Sequence, residues 1–566
     1  MSVVSERAPA VVRPRASRDD LVMRAGIALI GLALAVFVAL PIWALLSKSF
    51  QNADGGFVGV ENYVRYFSTP ALTQSVWNSF LVAALSTAIV LPLAFVYAYA
   101  LTRSRIPFKP LFQAAALVPI LAPSLLPAIS LIYLFGNQGI LKELLFGGSI
   151  YGAGGIVASQ VFYCFPHVLM ILVTALSMAD GRLYEAATAL GASRWRVFWT
   201  VTLPGARYGV IGAGFVAFTL VITDFGIAKV IGGKFNVLAT DVYKQVMGQQ
   251  NFPMGAVVGM VLLAPAVLAF LVDRVVQRRQ VALLSARAVP HEPKPRPRRD
   301  APLLAFCVVV AALLLGVLAM AVWASFIKRW PYNLSLTLAN YDFDEFDPSG
   351  WSPVWTSIKM SAGAALVGCL VVFAGAWLLE KARGFRFARG LVILLATLPM
   401  AVPGLVLGLG YIFFFNARDN PLNFLYGTLA ILVLNTVSHF YTVAHVTATT
   451  ALKQLDAEFE SVSQSLKVPL PVTFLRVTVP ICLPAILDIF IYLFANAMTT
   501  VSAVIFLYGP ETKLASIAVV NMDEAGMTAA AAAMATIIVL CSLGIRLLHL
   551  LVERTILVRA QRWRRR

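Results

Sequence analysis

Twelve apolar runs, each long enough to cross a bilayer, dictate what this chain can become. A membrane-spanning helix needs roughly 20 consecutive apolar residues, because the hydrocarbon core is about 30 Å thick and a helix rises about 1.5 Å per residue. Such runs fall at approximately 26–47, 77–101, 111–135, 156–178, 208–233, 254–273, 303–327, 355–379, 390–415, 425–449, 483–508 and 527–551, and are called spans 1 to 12. Hydrocarbon offers the backbone no hydrogen-bond partner, so these runs must be helical. With 59% hydrophobic and 13% charged residues, the chain holds more apolar surface than a water-soluble domain can cover. The reading is an all-α polytopic membrane protein. A net charge of +18 would suggest nucleic acid in a soluble protein, but here the positive-inside rule accounts for it and no nucleic-acid partner is expected.

Lys and Arg set the expected orientation. The two tails and every second loop, from Arg7 to Arg566, hold 33 of them, whereas the opposite loops hold nine, among them Lys48, Arg65, Lys142 and Lys328. Both termini are therefore expected on the cytoplasmic side. The first apolar run is too long for a signal peptide and lacks a clear small-residue cleavage site, so it reads as a retained span. The five cysteines (Cys164, Cys307, Cys369, Cys482, Cys541) are scattered singly through apolar runs and imply no disulfide framework and no metal site.

The chain reads as two copies of one unit. Val76-Trp77 recurs as Val354-Trp355, Pro119 and Pro123 as Pro399 and Pro403, and Asp180 and Pro204 as Asp456 and Pro480. Leu238-Ala239-Thr240 recurs as Leu514-Ala515-Ser516. Between the copies, Arg274 to Asp300 includes PHEPKPRPRRD, where alternating proline and charge predict an extended tether. The expected division is a tail over 1–25, a first six-helix domain over 26–273, a linker over 274–302, a second six-helix domain over 303–551 and a basic tail over 552–566. Six spans per copy is an even number, so the repeats are parallel and related by an axis along the membrane normal.

One polar, basic interruption stands out, Asp180 to Pro204, with the sequence DGRLYEAATALGASRWRVFWTVTLP. Asp180 is a suitable N-cap for a helix ending near Leu190, and Gly191 stands where a left-handed C-cap is needed. Ser193 can cap a second short helix, which Pro204 ends. The pattern Glu185, Ala186, Ala187, Gly191, Val201, Leu203 and Pro204 resembles the EAA loop of binding-protein-dependent ABC importer permeases, residue for residue and at the family's spacing. That resemblance implies a type I importer permease fold with about 12 transmembrane helices. It also implies that the loop is a coupling helix docking onto a separate cytoplasmic ATPase, probed here through Glu185, Ala186, Ala187, Gly191, Leu203 and Pro204.

The second copy of the loop, Asp456 to Pro480, departs from the family pattern. Ser461, Val462 and Ser463 replace Glu-Ala-Ala, and Lys467 replaces the glycine. Val477, Val479 and Pro480 keep the end of the motif. By the same resemblance this loop docks the second copy of the ATPase, since a twofold ATPase dimer needs two docking sites.

No catalytic arrangement is visible in the sequence. Gly232-Gly233-Lys234-Phe235 lacks the first glycine of a phosphate loop and has Phe235 where Ser or Thr would hold magnesium. The five histidines (His167, His291, His439, His445, His549) are dispersed. No cofactor and no metal site are expected, and ATP hydrolysis is assigned to a partner subunit. Asp224 in span 5 is the most informative polar residue within the membrane, because a carboxylate there costs roughly 2.5–3.5 kcal/mol even on a permissive scale. Thr223, Asp224, Thr499 and Thr500 are candidates to line the translocation path, and a structural hydrogen bond to a neighbouring span is the competing reading of Asp224. The prolines of spans 3 and 9 read either as packing kinks or as gate hinges. Outside the membrane, Val58 to Phe67 reads as an amphipathic segment anchored by Tyr63, Tyr66 and Phe67.

Together these features imply a fused permease subunit of an ATP-driven importer in a bacterial inner membrane, served by a periplasmic substrate-binding protein. The stretch Ser461 to Gly526 is similar to fused permeases for 2-aminoethylphosphonate, and fused permeases for ferric iron or thiamine share the wider architecture. A twelve-helix ion-coupled secondary transporter is the alternative from another class.

Overall fold

A computed structural model describes residues 18–178, 180–283, 293–382, 385–456 and 458–557. The expected tails up to residue 17 and from residue 558, and the centre of the linker at 284–292, lie outside the described residues. Among the described residues, nine helices are long and apolar enough to cross a membrane: Asp19–Ser49, Pro70–Arg103, Ala153–Ser177, Arg194–Thr223, Phe252–Val272, Pro297–Ser325, Ser352–Lys381, Leu429–Lys453 and Thr528–Thr555. Counting each of three sharply bent pairs as one span brings the total to twelve. Span 1 starts earlier than expected, with its helix running from Arg18. The tether is shorter than expected, because one helix continues past Arg274 to Leu283 and the next starts at Pro297, a residue suited to the first helical position.

The bends are larger than kinks. Span 3 is Lys109–Leu121 followed by Leu125–Phe135, turned by 100°, and span 9 is Arg386–Ala401 followed by Gly404–Phe415, turned by 116°. Each break carries the predicted proline pair, Pro119 and Pro123 or Pro399 and Pro403, with a short 3₁₀ turn between them. Proline removes a backbone donor and clashes with the preceding turn, and a pair four residues apart ends the helix altogether. The helix leading into span 11, Leu470–Ile481, meets Leu483–Thr499 at 76°.

Spans 5 and 11 end earlier than their apolar runs. They stop at Thr223 and Thr499, not near residues 233 and 508. After Thr223 the chain forms two short helices, Gly226–Ile231 and Leu238–Tyr243; after Thr500 it turns and forms Ala515–Glu524. Hydropathy cannot register this, since the short segments are apolar and buried in protein. They are pinned to the repeats in matching fashion. Ser79 Oγ accepts from the Leu238 amide and Ser357 Oγ accepts from the Ala515 amide, each at 2.8 Å.

Each half contributes its first span to the other. The Tyr411 hydroxyl of span 9 donates to the Phe37 carbonyl at 2.7 Å, in a π-helical turn of span 1 where the regular ladder is interrupted. Phe37 stacks on Phe415 with centroids 5.8 Å apart. Gly410 lets the backbones approach, because a Cβ there would lie 2.6 Å from the Pro41 carbonyl oxygen. Span 7 packs in the same way against Leu125–Phe135 of span 3. The outer end of each exchanged helix is closed by the same latch. Ser49 and Tyr63 hydroxyls meet at 2.8 Å, as Ser325 and Tyr341 do at 2.7 Å. Asn62 Nδ2 donates to the Ser49 and Gln51 carbonyls, and Asn340 Nδ2 to those of Ser325 and Ile327. Tyr63 therefore serves this latch and Tyr66 is fully buried, so neither is the interfacial anchor expected from the sequence.

Candidate functional site

The loop from Asp180 to Pro204, the candidate for coupling, forms as two capped helices. Asp180 accepts from the Arg182 amide at 3.0 Å and opens Gly181–Ala189; Ser193 accepts from the Arg196 amide at 3.3 Å and opens Arg194–Val197. Gly191 takes φ +70°, and the Ala192 amide reaches back to the Ala187 carbonyl at 3.0 Å. This is a Schellman closure, which needs the left-handed residue that glycine supplies cheaply. Glu185, Ala186, Gly191 and Pro204 are exposed, with Ala187 and Leu203 half-buried. Leu183 and Leu190 are also exposed, so the outer face of this helix is apolar with small side chains between.

The second loop reproduces the geometry without the sequence. Asp456 accepts from the Glu458 amide at 3.0 Å, and the helix Glu458–Ser465 follows. The Val468 amide reaches the Ser463 carbonyl at 3.0 Å, 276 residues after the first closure. Lys467 occupies the glycine's place at φ +55°. A left-handed conformation costs a side-chain-bearing residue roughly 1–2 kcal/mol, so the backbone here overrides the local preference of the sequence. Ser461, Val462 and Lys467 are exposed, while Ser463, Val479 and Leu470 are half-buried and Pro480 is exposed. Both loops feed a π-helical turn, Phe198–Thr202 and Phe474–Thr478, before spans 5 and 11.

The first loop has a brace that the sequence reading missed. Arg103, at the C-terminal end of span 2 and 3% exposed, donates through Nη2 to the Leu176 carbonyl at the end of span 4. Its guanidinium also lies over the Tyr184 ring, 4.7 Å from the centroid. The Tyr184 hydroxyl donates to Thr202 Oγ1 at 3.1 Å, in the π turn. One arginine thus ties spans 2, 4 and 5 to the coupling helix. The available signal was a lone arginine ending an apolar run opposite an aromatic in the motif loop. In the second half Lys381 and Glu460 stand where Arg103 and Tyr184 do.

Of the four candidate path residues, Thr223, Asp224 and Thr499 are half-buried, and Thr500 is buried. Thr223 and Thr499 bond back to the carbonyls of Thr219 and Ala495. Asp224 Oδ2 accepts from Gln160 Nε2 at 3.0 Å and from the Ile227 amide at 2.9 Å, which caps the short helix that follows. The Thr500 carbonyl accepts from Ser516 Oγ. Beyond these residues the halves meet at an ion pair between Lys229 and Glu524, with Lys229 also 4.5 Å from the Tyr243 ring centroid.

The outer faces differ. A cavity of about 780 Å³ opens among Lys48, Asn62, Arg65, Gln250, Phe252 and Asn416. The equivalent position in the other half holds Trp330, whose Nε1 donates to the Gln138 carbonyl at 3.0 Å and whose ring meets Tyr133 edge-on at 5.2 Å.

Twelve crossings in two repeats, with exchanged first helices and paired exposed loops, define a two-repeat membrane permease. The chain belongs to the family described as binding-protein-dependent transport system inner membrane component, which it matches twice, over residues 90–281 and 369–558. It is 27% identical over 536 residues to the ferric transport system permease protein FbpB of Actinobacillus pleuropneumoniae, covering 91% of this chain and 76% of that protein. It is 27% identical to the spermidine/putrescine permease PotB of Haemophilus influenzae, over 40% of this chain and 83% of that one. The molybdenum permease ModB of Escherichia coli is 32% identical over 27% of this chain and 69% of that protein. The chain is thus an inner-membrane, multi-pass permease subunit of an ABC importer, a class that works with an ATPase and a binding protein and is not itself an enzyme. This membership displaces the ion-coupled secondary transporter as an alternative.

Proposed function

We propose that this permease carries 2-aminoethylphosphonate into the cell, driven by two copies of a separate ATPase that grip the loops around Gly191 and Lys467. Both termini and both loops lie in the cytoplasm on this reading. Closure of the ATPase dimer on ATP draws the loops together, tips the repeats outward-open, and lets a periplasmic binding protein release substrate into the path between spans 5 and 11. ATP energy thus reaches the path as a differential stabilisation of one of two packings. The observation that carries the coupling part is the pair of exposed loops closed by the same turn 276 residues apart. The substrate part rests on the similarity of Ser461 to Gly526 to fused permeases for that compound.

A second substrate reading, ferric iron, is favoured by two ferric permease relatives that cover 91% and 88% of this chain. Uptake into proteoliposomes holding the complete importer tests both. ATP-dependent accumulation of 2-aminoethylphosphonate with no ion gradient is expected, and accumulation of ferric iron alone would replace the substrate reading. Wild-type transport by the Glu185→Lys, Gly191→Asp double variant would refute the docking assignment.

A further inference from the structure

We propose that Asp224, held by Gln160 and flanked by Tyr163, is a way-station in the path for the ammonium group of the substrate. The inference rests on the importer reading above and narrows the substrate to a class that relatives' names leave open.

The geometry begins with an unpaired charge. Asp224 stands at the break after span 5, within the membrane, and among the described residues no Lys, Arg or His forms an ion pair with it. Its support comes from behind. Gln160 is 1% exposed and spends its amide N–H on Asp224 Oδ2, while the Ile227 amide fills the same oxygen. The residue as a whole is half-buried. Its donors, the Gln160 amide, the Ile227 amide and the Ser124 hydroxyl, are all uncharged, so they fix the carboxylate without neutralising it.

Its surroundings are rich in acceptors and aromatic faces. Gln160 Oε1 is buried without a partner. Gln160 and Tyr163 are three residues apart on span 4 and share a helix face. Both Asp224 and the Tyr492 hydroxyl of span 11 lie within electrostatic reach of Tyr163, so the cluster bridges the two halves. Tyr492 in turn meets Phe440 edge-on at 6.1 Å. Carboxylate, amide oxygen, hydroxyls and ring faces lack what an ammonium brings, a positive charge and three N–H donors. An oxyanion such as molybdate or sulfate would meet the carboxylate with like charge in a medium that screens poorly. A bare ferric ion is also poorly matched, since the described residues hold no group of three His, Cys, Asp or Glu placed for a metal.

The test uses the complete importer in proteoliposomes and the isoelectronic Asp224→Asn, whose amide oxygen still accepts from Gln160 and Ile227. Uptake of 2-aminoethylphosphonate is expected to fall at least tenfold in Asp224→Asn and to recover in part in Asp224→Glu. Uptake is read per ATP hydrolysed, so that lost assembly or lost ATPase activity is not scored as loss of the way-station. A second readout is melting of the detergent-solubilised complex in millimolar 2-aminoethylphosphonate or ethylphosphonate. Only the amine should raise the wild-type melting temperature, and the rise should vanish in Asp224→Asn. Equal uptake by wild type and Asp224→Asn, or an equal rise with ethylphosphonate, would overturn the way-station while leaving the importer reading intact. A wild-type importer that moves no amine at all would overturn the substrate reading itself.

Discussion

The two coupling loops reach one backbone shape from different sequences. The first has the family's Glu-Ala-Ala, a glycine at the left-handed position and an arginine brace; the second has Ser461, Val462 and Ser463, and Lys467 strained at φ +55°. The difference teaches that the shape is set by the surrounding repeat, while the residues tune how firmly each loop is held.

That comparison can be broken most directly by exchanging damage between the loops. Glu185→Lys with Gly191→Asp should cut transport by about 5–150-fold, the span of typical coupling energies, while Ser461→Lys with Lys467→Asp should cost markedly less. Equal losses measured in vesicles would erase the asymmetry. Next in size, Arg103→Ala should leave the Leu176 carbonyl without its buried donor, at about 1–3 kcal/mol, and release Tyr184. Transport per ATP hydrolysed should drop several-fold with ATPase activity retained, a split that lost folding would not produce. Lys467→Gly should then relieve about 1 kcal/mol of backbone strain and leave transport unchanged. A fall in transport would mean that the Lys467 charge itself contacts the ATPase.

The smallest effect concerns the outer surface. Asp347 pairs with Lys513 and accepts from the Ser349 amide, and these partners hold its carboxyl below the usual carboxylate range despite burial, which pushes the other way. A carboxyl depressed in the folded state stabilises fully above its unfolded pKa of about 3.9, and that contribution disappears as pH falls through the folded value. The melting temperature of the wild type should therefore drift down below about pH 4, and Lys513→Ala should flatten the drift.

Much of this architecture was legible in the residues. Proline pairs marked the breaks in spans 3 and 9, and Asp180, Gly191, Ser193 and Asp456 marked the loop caps, because each signal acts on its own backbone within a few residues. Span ends after Thr223 and Thr499 were not legible, since apolarity continues past the point where the chain turns. The Arg103 brace and the exchanged first spans were also hidden. Each depends on residues tens to hundreds of positions apart, although Asn62-Tyr63 and Asn340-Tyr341 recur at the repeat distance and could have flagged the outer latches.

The exchanged first helix also sets a schedule for biosynthesis. The Phe37 carbonyl enters the bilayer well before its partner Tyr411, which follows 374 residues later. At about 5–20 residues per second, the ribosome takes about 20–75 s to deliver that hydroxyl. Throughout this interval the leading helix must wait in lipid, or in the hands of an insertion factor, with its groove-facing side unmatched. Carrying both repeats on a single polypeptide guarantees that the awaited helix arrives from the same translocon, in equal number, with no search through the membrane for a separately made subunit.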